Sequence, residues 1–312
     1  MAKYKVVVTA RSFGNTDEKA YRILEENDCE VKKIKAEDIS TEIVDADAVI
    51  AGLEEYNEEL ISKAEKLKVI SRYGVGYDKV DLETCKKHNV AVTFTPGANS
   101  ESVADMAVCL MLACARNITE INSRLKKGES YRPAGVELFG KTLGIIGAGR
   151  IGKGVGKRCS GFNMNILCYD TYEDENFKKE YGAKYVSLEE LLKESDFITI
   201  HSPLTPETRN MISTKELSLM KEDAIIVNTA RGGIIDEEAL YKALTEHRIR
   251  AAGLDVLEKD PSFESPLCEL DNCIVTSHVA ATTKEASSLM STMAAENVVD
   301  ILTTGTSRNK VV

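Results

Sequence analysis

Basic residues are in the minority. Forty lysines and arginines face fifty aspartates and glutamates, a net charge of −10 over 312 residues. A general nucleic-acid binder presents a basic face to the phosphates, so that class is excluded. No apolar run approaches the ~18 residues of a membrane span. The opening MAKYKVVVTA enters a strand-like run without the charged and apolar regions of a signal peptide. There is no CxxC pair. Eight cysteines (29, 85, 109, 114, 159, 168, 268 and 273) are scattered, several of them in apolar segments. That usage suits buried free thiols in a reducing compartment and gives no reason to expect zinc or another metal. The expectation is a soluble, cytoplasmic protein with neither a membrane nor a nucleic acid as partner.

What is present is ordinary globular composition, with 43% hydrophobic and 29% charged residues. A chain of this length buries a large core and usually divides it between two domains. Short β-branched runs alternate with helical stretches: strand 5–9, helix 17–26, strands 30–34 and 47–51, helix 57–64, strand 67–71, helix 81–87 and strand 90–93. Continuous apolar strands of this kind belong to parallel sheets covered on both faces. The rhythm breaks at Thr95-Pro96-Gly97.

One long helical pattern follows. Val103, Met106, Ala107, Leu110, Met111, Cys114, Ile118, Ile121 and Leu125 keep a 3.6-residue spacing. Asn99 or Ser100 can cap it, and Gly128 can end it. A single helix of about 27 residues, roughly 40 Å long, is expected. The alternation then resumes with strands 142–147, 165–170, 197–201, 224–228, 250–255 and 272–276, helices 188–194 and 237–246, and a final helix from 283 to 302. Repeated βα units with only six prolines imply two α/β domains with doubly wound parallel sheets, joined by long helices.

Gly147-Ala148-Gly149-Arg150-Ile151-Gly152 follows a strand and opens a helix. In a dinucleotide-binding turn the first glycine makes the bend and the second lets the backbone approach a pyrophosphate. The third lets helix pack on strand, and the helix N-terminus draws the phosphate charge. A lone GxGxxG also serves plain chain reversal. Here Asp170 ends the next strand, eighteen residues past Gly152 and near the expected ~20. A carboxylate there accepts from the adenosine ribose and repels a 2′-phosphate, which favours NAD over NADP.

Reduction of a carbonyl needs a proton donor and a cation for the developing oxyanion. Of the four histidines, His88 lies in a polar turn and His247 ends a helix. His201 and His278 both follow apolar strands, at the end where open α/β sheets bind ligands. Position alone leaves both open, with small neighbours favouring His278. Arg231 lies just past the carboxyl end of the strand 224–228 and precedes a glycine pair. It suits either an ion pair or a bidentate grip on a carboxylate. The turn Tyr73-Gly74-Val75-Gly76 reads either as a plain strand-to-helix turn or as an anion-binding nest of backbone N–H groups.

Together, Ser71–Asp78, Gly147–Gly152, Asn228–Gly233, Gly253-Leu254-Asp255-Val256, Ser277-His278 and Thr282–Ala286 resemble the D-isomer-specific 2-hydroxyacid dehydrogenases, in particular their phosphoglycerate dehydrogenase-like branch. The resemblance implies a substrate domain of residues 1–98 plus 288–312, an inserted NAD domain of residues 99–287, and homodimers formed through the latter. It implies His278 as proton donor and Arg231 as the residue that orients and polarises the 2-oxo acid. The glutamate that partners the histidine in the family is replaced by Asp260, one methylene shorter, with Glu258 as the substitute. Cofactor contacts are implied for Val75, Arg150, Ile151, Asp170, Ser202, Thr229, Asp255 and Ala281, beside the glycines of the turn. Substrate contacts are implied for Arg72, Tyr73, Gly74, Val75 and Gly76. Of two arginines typical of the phosphoglycerate branch, Arg72 matches one. Ala51-Gly52-Leu53, followed by Glu54 and Glu55, stands at the other, so a phosphorylated substrate is not expected to be preferred unless Arg132 compensates. The rival readings are a hydroxypyruvate/glyoxylate-type reductase and a non-catalytic, NAD-sensing corepressor-like scaffold.

Overall fold

The β-branched runs form parallel strands and most of the stretches between them form helices. In the computed structural model, which describes residues 3–259 and 264–312, the first half contains β1 (Tyr4–Val8), α1 (Lys19–Glu25), β2 (Cys29–Lys33), α2 (Ile39–Glu42), β3 (Ala48–Ala51), α3 (Glu58–Ile61), β4 (Val69–Arg72), α4 (Leu82–Lys87), β5 (Ala91–Thr93), α5 (Ser100–Ala115) and α6 (Ile118–Lys126). Then come β6 (Thr142–Ile146), α7 (Arg150–Ser160), β7 (Asn165–Tyr169), α8 (Glu175–Tyr181), β8 (Lys184–Tyr185), α9 (Leu188–Glu194), β9 (Phe197–Ile200) and α10 (Thr214–Leu219). The last elements are β10 (Ile225–Asn228), α11 (Glu237–Thr245), β11 (Ala251–Leu254), β12 (Cys273–Val275) and α12 (Lys284–Thr304).

The chain divides into two units, Met1–Asn99 with Ala281–Val312, and Ser100–Ala280. The first holds a five-stranded sheet in the order β2-β1-β3-β4-β5, and the second a seven-stranded sheet in the order β12-β11-β10-β9-β6-β7-β8. All pairings between these strands are parallel. In each sheet the strand order reverses once, between β1 and β3 in the first and between β6 and β9 in the second. Such a reversal leaves a crevice at the carboxyl ends of the strands.

Successive side chains of a strand point to opposite faces, so these sheets feed two cores each. In the first unit Val6, Val8 and Ile50 pack with Ala294, Ala295 and Val298 of α12. Val7, Val49 and Ile70 pack on the other face with Ile39, Leu60 and Ile61. The side-chain hydroxyl of Ser71 donates to Ala294 O at 3.1 Å, which ties α12 to β4. In the second unit Ile226 joins one core and Ile225 and Val227 the other. This two-sided burial is why the strands read as unbroken apolar runs.

The single helix expected over 99–127 is instead two helices, α5 and α6, bent by 62°. Asn117 breaks it. The residue sits in the left-handed region at φ 52°, a conformation asparagine tolerates better than most residues. Its N–H bonds back only three residues, to Cys114 O at 3.3 Å. Val103, Ala107, Leu110, Met111 and Cys114 of α5 are buried, whereas α6 buries none of its residues. The apolar period continues past Asn117 because the residues are apolar, not because they are covered. No single helix among the described residues is long and apolar enough to cross a membrane.

Candidate active site

The second unit's crevice is built by the turn after β6. Gly147 adopts φ +90°, and a Cβ there would lie 2.7 Å from the backbone of His201 and Ser202, at the end of β9. Glycine alone permits that approach. A Cβ on Gly152 would meet Gly147 O at 2.2 Å, so the third glycine lets α7 sit against the turn. A Cβ on Gly149 would meet nothing within 4 Å, and Gly149 is the N-cap of α7. The turn therefore presents an open face to the helix N-terminus, where the dipole and unpaired N–H groups favour an anion. Asp170 closes the other side. Its Oδ2 accepts from Ala148 N at 2.7 Å and its Oδ1 from Tyr172 N at 3.1 Å. The carboxylate is thus held against the turn, at the edge of its open face, and these residues fit a dinucleotide. Arg150 is exposed and Ile151 half-buried at the head of α7.

Three further strand ends carry polar groups. After β10, Asn228 is buried and both ends of its amide are engaged: Nδ2 donates to Arg231 O at 2.8 Å and Oδ1 accepts from Ala230 N at 2.9 Å. This side chain folds the turn that carries Arg231. A Cβ on Gly232 would lie 2.1 Å from the Leu257 backbone, and Gly233 takes φ +79°, so the glycine pair lets the segment after β11 pass close beside Arg231. After β11, the carboxylate of Asp255 is fully buried. It accepts from Thr276 Oγ1 at 2.5 Å, Val279 N at 2.9 Å and Ala280 N at 2.8 Å. Its carbonyl accepts from His278 N at 2.9 Å. The turn after β12 is wrapped around this one residue, with His278 held at φ 54°. The sequence assigns Asp255 to the cofactor; in the structure its carboxylate bonds to the His278 turn, and its N–H donates to Asn228 O at 2.9 Å.

His201 is different in kind. Its Nε2 lies 2.8 Å from Thr199 Oγ1 and its Nδ1 3.5 Å from Thr229 Oγ1. Burial pushes its pKa down to about 3, because imidazolium loses its hydration there. It is neutral across the physiological range. Glu258, the substitute partner for the histidine, lies 3.4 Å from Arg209 in an exposed pair. Asp260 lies outside the described residues.

In the first unit, the turn after β4 holds Arg72 through Gly76. The N–H of Tyr73 is taken by Ala51 O at 3.0 Å, and that of Gly74 by Thr95 Oγ1 at 3.0 Å. Among the described residues nothing accepts from the N–H groups of Val75 and Gly76, so the four-residue nest read from the sequence reduces to these two. Gly74 takes φ +139°, and Arg72 Nη1 donates to Ala51 O at 3.0 Å and Tyr73 O at 2.7 Å. Ala281 opens the closing segment of this unit, and Arg132 is exposed on the other.

Residues 108–280 match the family model described as D-isomer specific 2-hydroxyacid dehydrogenase, NAD binding domain. The chain belongs to the D-isomer-specific 2-hydroxyacid dehydrogenases. Among members of this family it is 47% identical over 291 residues to the D-3-phosphoglycerate dehydrogenase of Methanocaldococcus jannaschii, covering 91% of this chain but 56% of that protein. It is 40% identical over 295 residues to the hydroxypyruvate reductase of Thermotoga maritima, covering 92% and 94%. The D-lactate dehydrogenase of Aquifex aeolicus, solved with NAD and lactic acid, matches with a TM-score of 0.84 at 32% identity over 96% of both chains. The D-2-hydroxyacid dehydrogenases are NAD-dependent oxidoreductases, and NAD(H) is the cofactor here.

Two supports in this D-2-hydroxyacid dehydrogenase escaped sequence reasoning. Asn228, three residues before Arg231, carried a readable signal, because asparagine side chains commonly fold the turn that follows them. Thr95 had none, since its bond to Gly74 depends on β4 and β5 lying side by side.

Proposed function

We propose that the protein interconverts a small D-2-hydroxy acid and its 2-oxo acid, with Arg231 and His278 doing the chemistry. The observation that carries this is the pair of buried side chains, Asn228 and Asp255, each spent on folding one turn, the first carrying Arg231 and the second His278. NADH, when bound, supplies a hydride. The Arg231 guanidinium grips the acid and stabilises the charge growing on its carbonyl oxygen, and His278 gives that oxygen a proton. His201, held neutral, has no imidazolium to offer at neutral pH. In the first unit the N–H groups of Val75 and Gly76 take the substrate carboxylate, within the turn that Arg72, Tyr73 and Gly74 shape. Arg150, Ile151, Asp170, Ser202 and Thr229 are the cofactor contacts of the second unit, and Val75 and Ala281 those of the first.

A panel of 2-oxo acids assayed with NADH and NADPH tests the reading. We expect reduction of at least one small 2-oxo acid with clear preference for NADH, and Asp170→Ala narrowing the gap between the two cofactors. Higher kcat/KM with NADPH in the unaltered enzyme would show that Asp170 does not face the ribose. No turnover with any acid would favour the corepressor-like scaffold.

We further propose a homodimer formed through the second unit. Ile118, Leu125 and Phe139 of that unit are large apolar side chains more than half exposed, and a groove along α5 is lined by Val108, Cys109, Leu112 and Ala113. Sedimentation should give the mass of two chains. A monomer at micromolar concentration would refute it.

A further inference from the structure

The crevice of the first unit, at the reversal between β1 and β3, is already filled. Thr9 follows β1 and Gly52 follows β3, and both turn donors toward one atom, Oε1 of Glu54. The N–H of Gly52 is shared between Oε1 at 3.0 Å and Thr9 Oγ1 at 2.9 Å. The hydroxyl of Tyr56 donates to Oε1 at 2.5 Å, and the hydroxyl of Thr9 donates to it as well. Thr9 and Tyr56 are 3% and 1% exposed, so these donors are built into the unit. Oε2 of Glu54 has no hydrogen-bond partner among the described residues. A Cβ on Gly52 would come within 2.7 Å of it. Backbone and hydroxyl donors converging at the carboxyl ends of switch-point strands form the kind of place where open α/β sheets bind anions. On the neighbouring strand Arg72 commits Nη1 to two backbone carbonyls.

We infer that Glu54 is a built-in anion that plugs this crevice and sets the substrate class: 2-oxo acids with an uncharged or hydroxyl-bearing tail are taken, and those ending in a phosphate are rejected. The inference rests on the 2-oxo acid reading above. A phosphate tail would meet a carboxylate where it needs donors, and the donors it needs are already spent on that carboxylate. The substrate tail is the variable part of such acids, and the plug acts on the tail alone.

The test uses the full chain with NADH, comparing hydroxypyruvate with 3-phosphohydroxypyruvate in wild type, Glu54→Gln and Glu54→Ser. The glutamine variant keeps an acceptor for the three donors and so protects the fold, while the serine variant opens the space. The wild type should favour hydroxypyruvate at least tenfold in kcat/KM. The ratio should move toward the phosphorylated acid by ten- to a hundredfold in Glu54→Ser and by less in Glu54→Gln, mainly through KM. Titration with inorganic phosphate, which needs no turnover, should show at least tenfold tighter binding to Glu54→Ser. A wild type that prefers the phosphorylated acid, or a ratio unchanged within threefold in both variants, overturns the plug. If no acid is reduced by the wild type, the 2-oxo acid reading fails and the phosphate titration alone decides the plug: an unchanged affinity refutes it.

Discussion

Replacing His278 with asparagine should lower kcat for 2-oxo acid reduction by roughly 10²–10⁴, the usual contribution of a positioned general acid. At 1.36 kcal/mol per tenfold this is about 2.7–5.4 kcal/mol of transition-state stabilisation. Asparagine is the informative substitute because His278 sits at φ 54°, where asparagine is tolerated and alanine is strained. The turn wrapped on Asp255 should then survive, and NADH affinity measured by fluorescence should match the wild type. Turnover within tenfold of normal would remove His278 from the mechanism. The acid partner supplies a companion measurement. A carboxylate against the imidazole holds the ring in the orientation from which it donates its proton. Asp260→Asn should therefore lower kcat while leaving NADH affinity in place. Glu258→Gln should change little, since Glu258 is paired with Arg209. The opposite ranking would assign the partner to Glu258.

Arg231→Gln should cost about 10²–10³ in kcat, the size seen when one oxyanion donor is removed, together with a rise in KM for the 2-oxo acid. Up to about 4 kcal/mol is involved at 1.36 per tenfold. Arg231→Lys should recover only part of the loss, because lysine restores the charge but not the planar fork. An Arg231→Gln enzyme with kcat/KM within tenfold of wild type would contradict the role. The two replacements are expected to differ in one respect: the arginine variant should raise KM for the acid, and the histidine variant should act mostly on kcat.

The strands were legible because both faces of each sheet are buried, so runs such as Ile225–Asn228 announce themselves by composition. Helix α9 was readable in full from Leu188 to Glu194, with Ser187 accepting from Glu190 N at its start. Helix α8 was not, because ENFKKEY buries only Phe177 and carries no apolar period. Its limits were nonetheless written in its caps, Asp174 accepting from Asn176 N and Phe177 N, and Gly182 at φ 67°. The bend at Asn117 was hidden by a period that continued through it. In the site, the residues named for chemistry stand out as charged groups at strand ends, and Gly147–Gly152 with Asp170 is readable as a motif. The residues that hold them are less visible. Asp255 reaches Val279 and Ala280 only because β11 and β12 pair in register, Leu254 beside Val275. Glu54 reaches Thr9 only because β1 and β3 do, Val8 beside Ile50. Such pairings belong to the topology, which local sequence does not display.

The first unit is written in two pieces, and 181 residues, Ser100–Ala280, lie between them. Its core is incomplete until α12 brings Ala294, Ala295 and Val298 to Val6, Val8 and Ile50. On the ribosome, at ~5–20 residues per second, the strands of the first piece wait roughly 10–40 s for that helix. The intervening unit is contiguous and has its own two cores, so it can close in the meantime. Loop-closure entropy grows only with the logarithm of loop length, so the wait shows in the rate of assembly far more than in the final stability. The unit synthesised second thus folds first, and the unit that begins the chain is the last to be finished.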